Sequence, residues 1–84
     1  MKKFLVFIEQ KPGFSGNAIS GHRAFLQSMR ETEQLVIAGG FSDQTGGAYV
    51  LQAESREDAV RLVNSDPLFI GNECIYTIKE WNAQ

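Results

Sequence analysis

The feature that most constrains the fold is a short segment near the start of the chain, residues 3–9, with the sequence KFLVFIE. It is aromatic and β-branched and is bounded by charge, so it predicts a β-strand that is apolar on both faces. The chain has 84 residues, and a domain of this size buries only about 60–65% of its unfolded surface. It is too short to cover both faces of a sheet. We therefore expect one domain, residues 1–84, that forms a homodimer.

The hydrophobic pattern of the remaining chain predicts the order of its elements. A helix is expected over 18–31 with Asn17 as its cap, then strands over 34–38 and 48–53, a helix over 56–64 that opens with the S-x-x-D pattern of Ser55 to Asp58, and a strand over 74–81. The dipeptide Asp66-Pro67 is expected to end the second helix, because a residue before proline disfavours the α region.

The resulting β-α-β-β-α-β order is typical of ferredoxin-like α+β folds. In that arrangement the sheet is antiparallel and four-stranded, in the order 4-1-3-2, with both helices on one face. The other face needs a cover, and a second copy of the sheet would supply it. Two sheets packed face to face form a dimeric α/β barrel.

Composition and charge exclude several classes of function. The net charge is −2 and the basic residues are scattered, which argues against a nucleic-acid surface. There is no apolar run of about 18 residues, so we expect no membrane span, and the run Phe4–Ile8 is too short for a signal peptide. One Cys and one His cannot form a structural zinc site, and GGFSDQTGG fits no nucleotide-binding motif. We expect a cytoplasmic protein with no metal and no cofactor.

The only histidine of the chain, His22, falls on the apolar stripe of the first predicted helix, together with Leu26 and Met29. In the predicted topology this end of the helix lies at the same end of the sheet as the 39–47 hairpin and Asp66. A carboxylate on one imidazole nitrogen fixes the tautomer and leaves the other nitrogen for proton transfer. His22 and Asp66 are therefore the candidate catalytic residues, against the alternative that His22 only packs.

Four further residues near this end are candidates for substrate contact. Ser42 could donate a hydrogen bond, Arg23 could attract an anion, and Phe41 could form a pocket wall. Asp43 is a second candidate for the carboxylate that orients His22. For each of the four, turn formation, packing or solvation is the simpler alternative role.

Three segments, HRAFLQSM, LVIAGGFSD and AVRLVNSDPLFIGN followed by IYTIKEW, resemble the YCII-related (YciI-like) domain family over nearly the whole chain. The resemblance implies a dimeric α/β barrel and a paired His and Asp at the proposed active site, which fall on His22 and Asp66. Members of that family known as enzymes include dehydrochlorinase-type lyases that act on hydroxylated aromatics.

Three positions depart from the pattern of that family. Gly40 stands where a proline is usual, Leu68 stands where an aromatic residue follows the Asp-Pro pair, and Ile19 stands where an arginine is frequent. If that arginine binds substrate in the relatives, this chain has a different ligand or no turnover.

Together these observations predict acid/base chemistry of lyase or isomerase type on a small organic molecule, such as a hydroxylated aromatic, with His22 and Asp66 as the working pair. One alternative is a ligand-binding or dimerisation module without turnover. Another is a cofactor-free oxygenase of the dimeric-barrel type, because those sites also use a histidine with aromatic walls.

Overall fold

The computed structural model describes all 84 residues. In chain order its elements are β1 (Lys2–Gln10), α1 (Ile19–Glu31), β2 (Leu35–Gly40), β3 (Gly46–Ala53), α2 (Arg56–Val63), α3 (Pro67–Ile70) and β4 (Cys74–Glu80). The four strands form one antiparallel sheet in the order β2-β3-β1-β4. This is the ferredoxin-like α+β topology that the sequence predicts, with the predicted strand order. None of the helices combines the length and the hydropathy that crossing a membrane requires.

The central strand β1 separates two different environments. Phe4, Val6 and Ile8 point to the side of the helices, where they are at most 3% exposed and form the middle of the core. Phe7 points to the opposite side and is 38% exposed, and Leu5 is only half-buried there. Both faces of this strand are apolar as predicted, but the chain itself covers only one of them.

The two long helices begin differently. The Ser55 side chain accepts a hydrogen bond from the Asp58 backbone N–H at 3.2 Å, so the predicted N-cap of α2 is confirmed. The predicted cap of α1 is wrong, because Ala18 occupies the N-cap position and no side chain caps this helix. Asn17 lies before it, and its backbone N–H donates to the Ser15 hydroxyl at 3.1 Å.

The prediction of two helices is incomplete, because Asp66-Pro67 opens a third helix, α3, after α2 has ended. Pro67 fits the first helical position, where a backbone N–H has no partner to lose, and Asp66 is a favoured N-cap residue. The Asp66 carboxylate accepts the Leu68 backbone N–H at 3.0 Å. The dipeptide thus follows the end of α2 and starts α3, and its place at the N-cap fixes the position of Asp66.

Candidate functional site

The His22 ring and the Asp66 carboxylate meet although 44 positions separate them in the chain. Nδ1 of His22 lies 2.9 Å from one carboxylate oxygen and 3.0 Å from the other. His22 lies in the first turns of α1, and Asp66 is the N-cap of α3, which packs against α1. The contact between these two helices therefore brings the pair together, and Asp43, the other carboxylate considered, has no part in it.

Asp66 is a buried charged residue held by several hydrogen-bond donors. Its exposed fraction is 0%, and besides His22 it accepts hydrogen bonds from the Leu68 backbone N–H at 3.0 Å and the Tyr76 hydroxyl at 2.7 Å. The Tyr49 hydroxyl lies farther away, at 3.4 Å. A carboxylate is tolerated away from water only when it is paired and hydrogen-bonded in this way.

This arrangement determines which nitrogen of His22 is free. The Asp66 carboxylate accepts from the Leu68 N–H and the Tyr76 hydroxyl, and an ionised carboxylate can only accept hydrogen bonds, so Nδ1 carries a hydrogen and donates it. Nε2 has no hydrogen-bond partner. Every buried side-chain nitrogen and oxygen in the structure does have one, so Nε2 is not buried. Nε2 therefore reaches accessible space, and in the neutral ring it is the nitrogen that can take a proton.

The two tyrosines around Asp66 are fixed in their neutral forms. Burial raises the pKa of Tyr49, and the neighbouring charge of Asp66 raises it further. The pKa of Tyr76 is also raised, first by burial and then by its hydrogen bond to Asp66. Both hydroxyls therefore keep their protons at ordinary pH, which makes them donors that hold the carboxylate in place.

A cavity of about 360 Å³ lies beside this pair, between α1 and the ends of β2 and β3. Its lining includes His22, Arg23 and the facing glycines Gly40 and Gly47, which pair across the two strands. A Cβ atom on Gly47 would lie 2.6 Å from the Gly39 carbonyl oxygen, so no side chain fits at that position. Gly47 therefore allows β2 and β3 to approach closely at the edge of the cavity.

The remaining candidate residues lie in different places. Arg23 lines the cavity, whereas Ser42, Asp43 and Phe41 are absent from its lining. The Phe41 ring lies 5.1 Å from that of Phe7, on the face of the sheet away from the helices. The Asp43 carboxylate accepts hydrogen bonds from the hydroxyl and then from the backbone N–H of Thr45, and both lower the pKa of Asp43. Ser42 is exposed in the same turn.

Three residues that contribute to the site were not predicted from the sequence. Arg30 lines the cavity, and its spacing of seven from Arg23 is a signal that would have placed both on one side of α1. Tyr49 and Tyr76 face the helices from β3 and β4, opposite Val6 and Ile8 of the central strand. Their alternation in the sequence indicates an inward position but does not reveal that both hydroxyls reach Asp66.

The fold and the site together define a small ferredoxin-like α+β protein in which a buried carboxylate holds a partly exposed histidine beside a cavity. The chain belongs to the YCII-related domain family, which matches residues 3–82. The predicted resemblance to this family is therefore confirmed. The chain is 37% identical over 84 residues to Uncharacterized protein YjpA of Bacillus subtilis (strain 168), and the match covers 100% of this chain and 99% of that protein.

One solved structure gives a comparison of the fold. The chain is similar to 5-chloro-2-hydroxyhydroquinone dehydrochlorinase from Burkholderia phenoliruptrix AC1100, in complex with 2,5-dihydroxybenzoquinone, with a TM-score of 0.79. The match covers 98% of this chain and 95% of that chain at 20% sequence identity. At this identity the likeness shows a shared fold.

Proposed function

We propose that this protein is an enzyme that uses His22 as a general base and acid on a small organic molecule bound in the cavity. The observation that carries the proposal is the geometry of the ring: Nδ1 is held by Asp66 at 2.9 Å, and Nε2 has no protein partner. A histidine oriented through one nitrogen can exchange a proton with substrate through the other. Asp66 then acts through His22, because its carboxylate is fully buried and does not line the cavity.

A lyase or isomerase step fits the His22–Asp66 pair best, because each reaction needs a proton to be moved and needs no further reactive group from the chain. The structural neighbour is named as a dehydrochlorinase and was solved with a dihydroxybenzoquinone, which supports hydroxylated aromatics and their quinones as the first compounds to examine. A cavity of about 360 Å³ lies at the lower end of the range for small-molecule sites, about 300–1,000 Å³. One substituted ring is an appropriate size.

The proposal is tested by proton exchange and by elimination. Wild-type protein is incubated in deuterated buffer with hydroxylated aromatics and quinones, and solvent deuterium entering their C–H positions is followed by NMR; chloride release from 5-chloro-2-hydroxyhydroquinone is measured in parallel. We expect acceleration of at least one reaction, which His22→Ala abolishes. The control Gln27→Ala changes an exposed residue of the same helix and should retain full activity.

Two results would contradict an acid/base enzyme. If His22→Ala matches wild type on every compound that binds, the protein is a binding module without turnover. If turnover requires molecular oxygen, the cofactor-free oxygenase is the correct alternative.

We further propose that the enzyme is a homodimer in which two sheets pack face to face. The support is the open face, which we define as the sheet surface opposite the helices that carries Leu5, Phe7, Ile37 and Ile75. Phe7, Ile37 and Ile75 are 38%, 63% and 52% exposed, and several large exposed apolar side chains on one face of a sheet are typical of an interaction site. A second copy would bury it and form the barrel.

Light scattering tests the homodimer directly. Twice the chain mass of 9.4 kDa is expected for wild type at micromolar concentration, and Ile37→Glu should give the single-chain mass. Ile70→Glu is the matched control, because Ile70 is equally exposed, at 66%, but lies on α3 on the helix side of the sheet. A wild-type monomer, or a dimer that Ile37→Glu does not weaken, would contradict the barrel.

A further inference from the structure

The four arginines of the chain differ in what their side chains do. On α2, Arg56 donates to the Ile78 carbonyl and Arg61 forms a salt bridge with Asp58 at 2.7 Å. On α1, Arg23 and Arg30 take part in none of the salt bridges, and neither donates a side-chain hydrogen bond within the chain. These are the two arginines that line the cavity beside His22.

The cavity has no acidic lining to balance these two charges. The chain contains ten Asp and Glu residues, yet none of them lines the cavity. Asp66 is the nearest carboxylate to the ring of His22, but it is fully buried and already accepts several hydrogen bonds. Arg23 and Arg30 are seven residues apart on α1, which is about 10 Å along the helix axis. Two exposed arginines without a salt bridge or a side-chain hydrogen bond therefore line one cavity in a chain whose net charge is −2.

The rest of the lining is mostly apolar or backbone. Ile8, Phe14 and Leu26 provide hydrophobic walls, and the glycines at the ends of β2 and β3 provide a floor without side chains. A flat ring fits such a space, and a negatively charged oxygen group on it would meet a guanidinium. Arginine is well suited to this contact, because its planar group binds a carboxylate through two parallel hydrogen bonds.

We propose that the ligand of this cavity is a one-ring organic anion whose carboxylate, or an equivalent oxyanion, is held by Arg23 and Arg30. The inference rests on the proposed function, because it names the substrate class of the same site. The ring of the ligand lies against the apolar walls of the cavity, with its reacting position toward Nε2 of His22. Neutral molecules of the same shape bind less well, because they leave the two guanidinium groups without a partner.

The test compares matched acids and amides by calorimetry at low salt. The probes are 2,5-dihydroxybenzoate and its neutral isostere 2,5-dihydroxybenzamide. We expect the acid to bind at least about tenfold more tightly, and Arg23→Gln and Arg30→Gln each to weaken the acid by about 10–100-fold, the range for loss of one charge-assisted hydrogen bond. Neither substitution should change the affinity for the amide. Arg61→Gln removes the same charge from α2 and should leave both affinities unchanged.

The location of the bound acid is read from the histidine itself. Because the chain has one His, its ring gives a single set of NMR signals, and these should shift when 2,5-dihydroxybenzoate binds. Any one of four results would overturn the inference. The acid and the amide bind with equal affinity, or both arginine variants bind the acid as tightly as wild type does. Alternatively, the acid does not bind at millimolar concentration, or it binds and leaves the His22 signals unmoved.

Failure of this inference can be distinguished from failure of the proposed function. His22→Gln removes the proton-transfer group but leaves both arginines, so the acid should still bind to this variant. If the acid binds through the arginines and no compound is turned over, the anion site stands and the enzyme proposal fails. If turnover depends on His22 but shows no preference for anions, the enzyme proposal stands and the anion site fails.

Discussion

Replacement of Asp66 should change the free energy of unfolding by an amount that follows from its hydrogen bonds. In Asp66→Ala, the Leu68 N–H, the Tyr76 hydroxyl and Nδ1 of His22 all lose their acceptor at a site that is 0% exposed. Each buried donor left without a partner costs about 1–3 kcal/mol. Because the tyrosine hydroxyl can rotate and water can enter the new space, we expect a total loss of about 3–5 kcal/mol in the free energy of unfolding.

Asp66→Asn is the matched variant, because it keeps the shape and removes the charge. Its carbonyl oxygen can still accept the Leu68 N–H and Nδ1 of His22, while the Tyr76 hydroxyl turns to accept from the new amide. We expect this change to cost about 1–2 kcal/mol, the difference between charge-assisted and neutral hydrogen bonds.

Urea unfolding followed by circular dichroism measures both variants of Asp66. A chain of this length has a free energy of unfolding of about 4–13 kcal/mol, so the alanine variant should lose a large part of its stability, and its Tm should fall by about 12–40 °C. A loss below about 1 kcal/mol for Asp66→Ala would refute the buried acceptor. Equal losses for both variants would show that the charge, and not the hydrogen-bond network, provides the stability.

Three further predictions follow from the same structure. Burial beside Asp66 raises the pKa of both Tyr49 and Tyr76, so only the unfolded chain loses phenolic protons near the ordinary tyrosine pKa of about 10. The free energy of unfolding should therefore fall as pH rises above about 10. Absorbance at 295 nm, which reports tyrosinate, should rise only together with unfolding. A rise before unfolding would contradict this. Burial also raises the pKa of the Cys74 thiol, so a thiol reagent at neutral pH should label native protein at least about tenfold more slowly than urea-unfolded protein; equal rates would show an accessible thiolate. Gly47→Ala places a Cβ 2.6 Å from a carbonyl oxygen and should cost about 1–3 kcal/mol, whereas Gly39→Ala meets nothing within 4 Å and should change urea stability by less than about 0.5 kcal/mol.

Much of the fold could be predicted because the signals were local and repeated. Strand β1 is apolar on both faces, the S-x-x-D pattern at Ser55 caps α2, and the order of elements leaves few topologies. The error at Asn17 arose because the loop before α1 makes its own turn, in which the Ser15 hydroxyl serves the backbone. Helix α3 was missed because a proline signals both an end and a beginning, and only the structure shows which applies.

The candidate site was only partly predictable, for a related reason. The direction of each element places His22 and Asp66 at one end of the sheet, and this needs no side-chain detail. Whether a residue in a turn reaches that site depends on backbone geometry that periodicity does not contain. Phe41, just after the end of β2, accordingly lies on the other face of the sheet, against Phe7.

The central claim is that Asp66 holds Nδ1 of His22 and leaves Nε2 free beside the cavity. Nitrogen-15 NMR of the imidazole measures this directly, because the chain has one histidine and its two ring nitrogens have distinct shifts in each tautomer. At a pH where the ring is neutral, we predict a single tautomer with the proton on Nδ1 in wild type, and a mixture of both tautomers in Asp66→Ala. A wild-type ring with the proton on Nε2, or a tautomer mixture that Asp66→Ala does not change, would contradict the account.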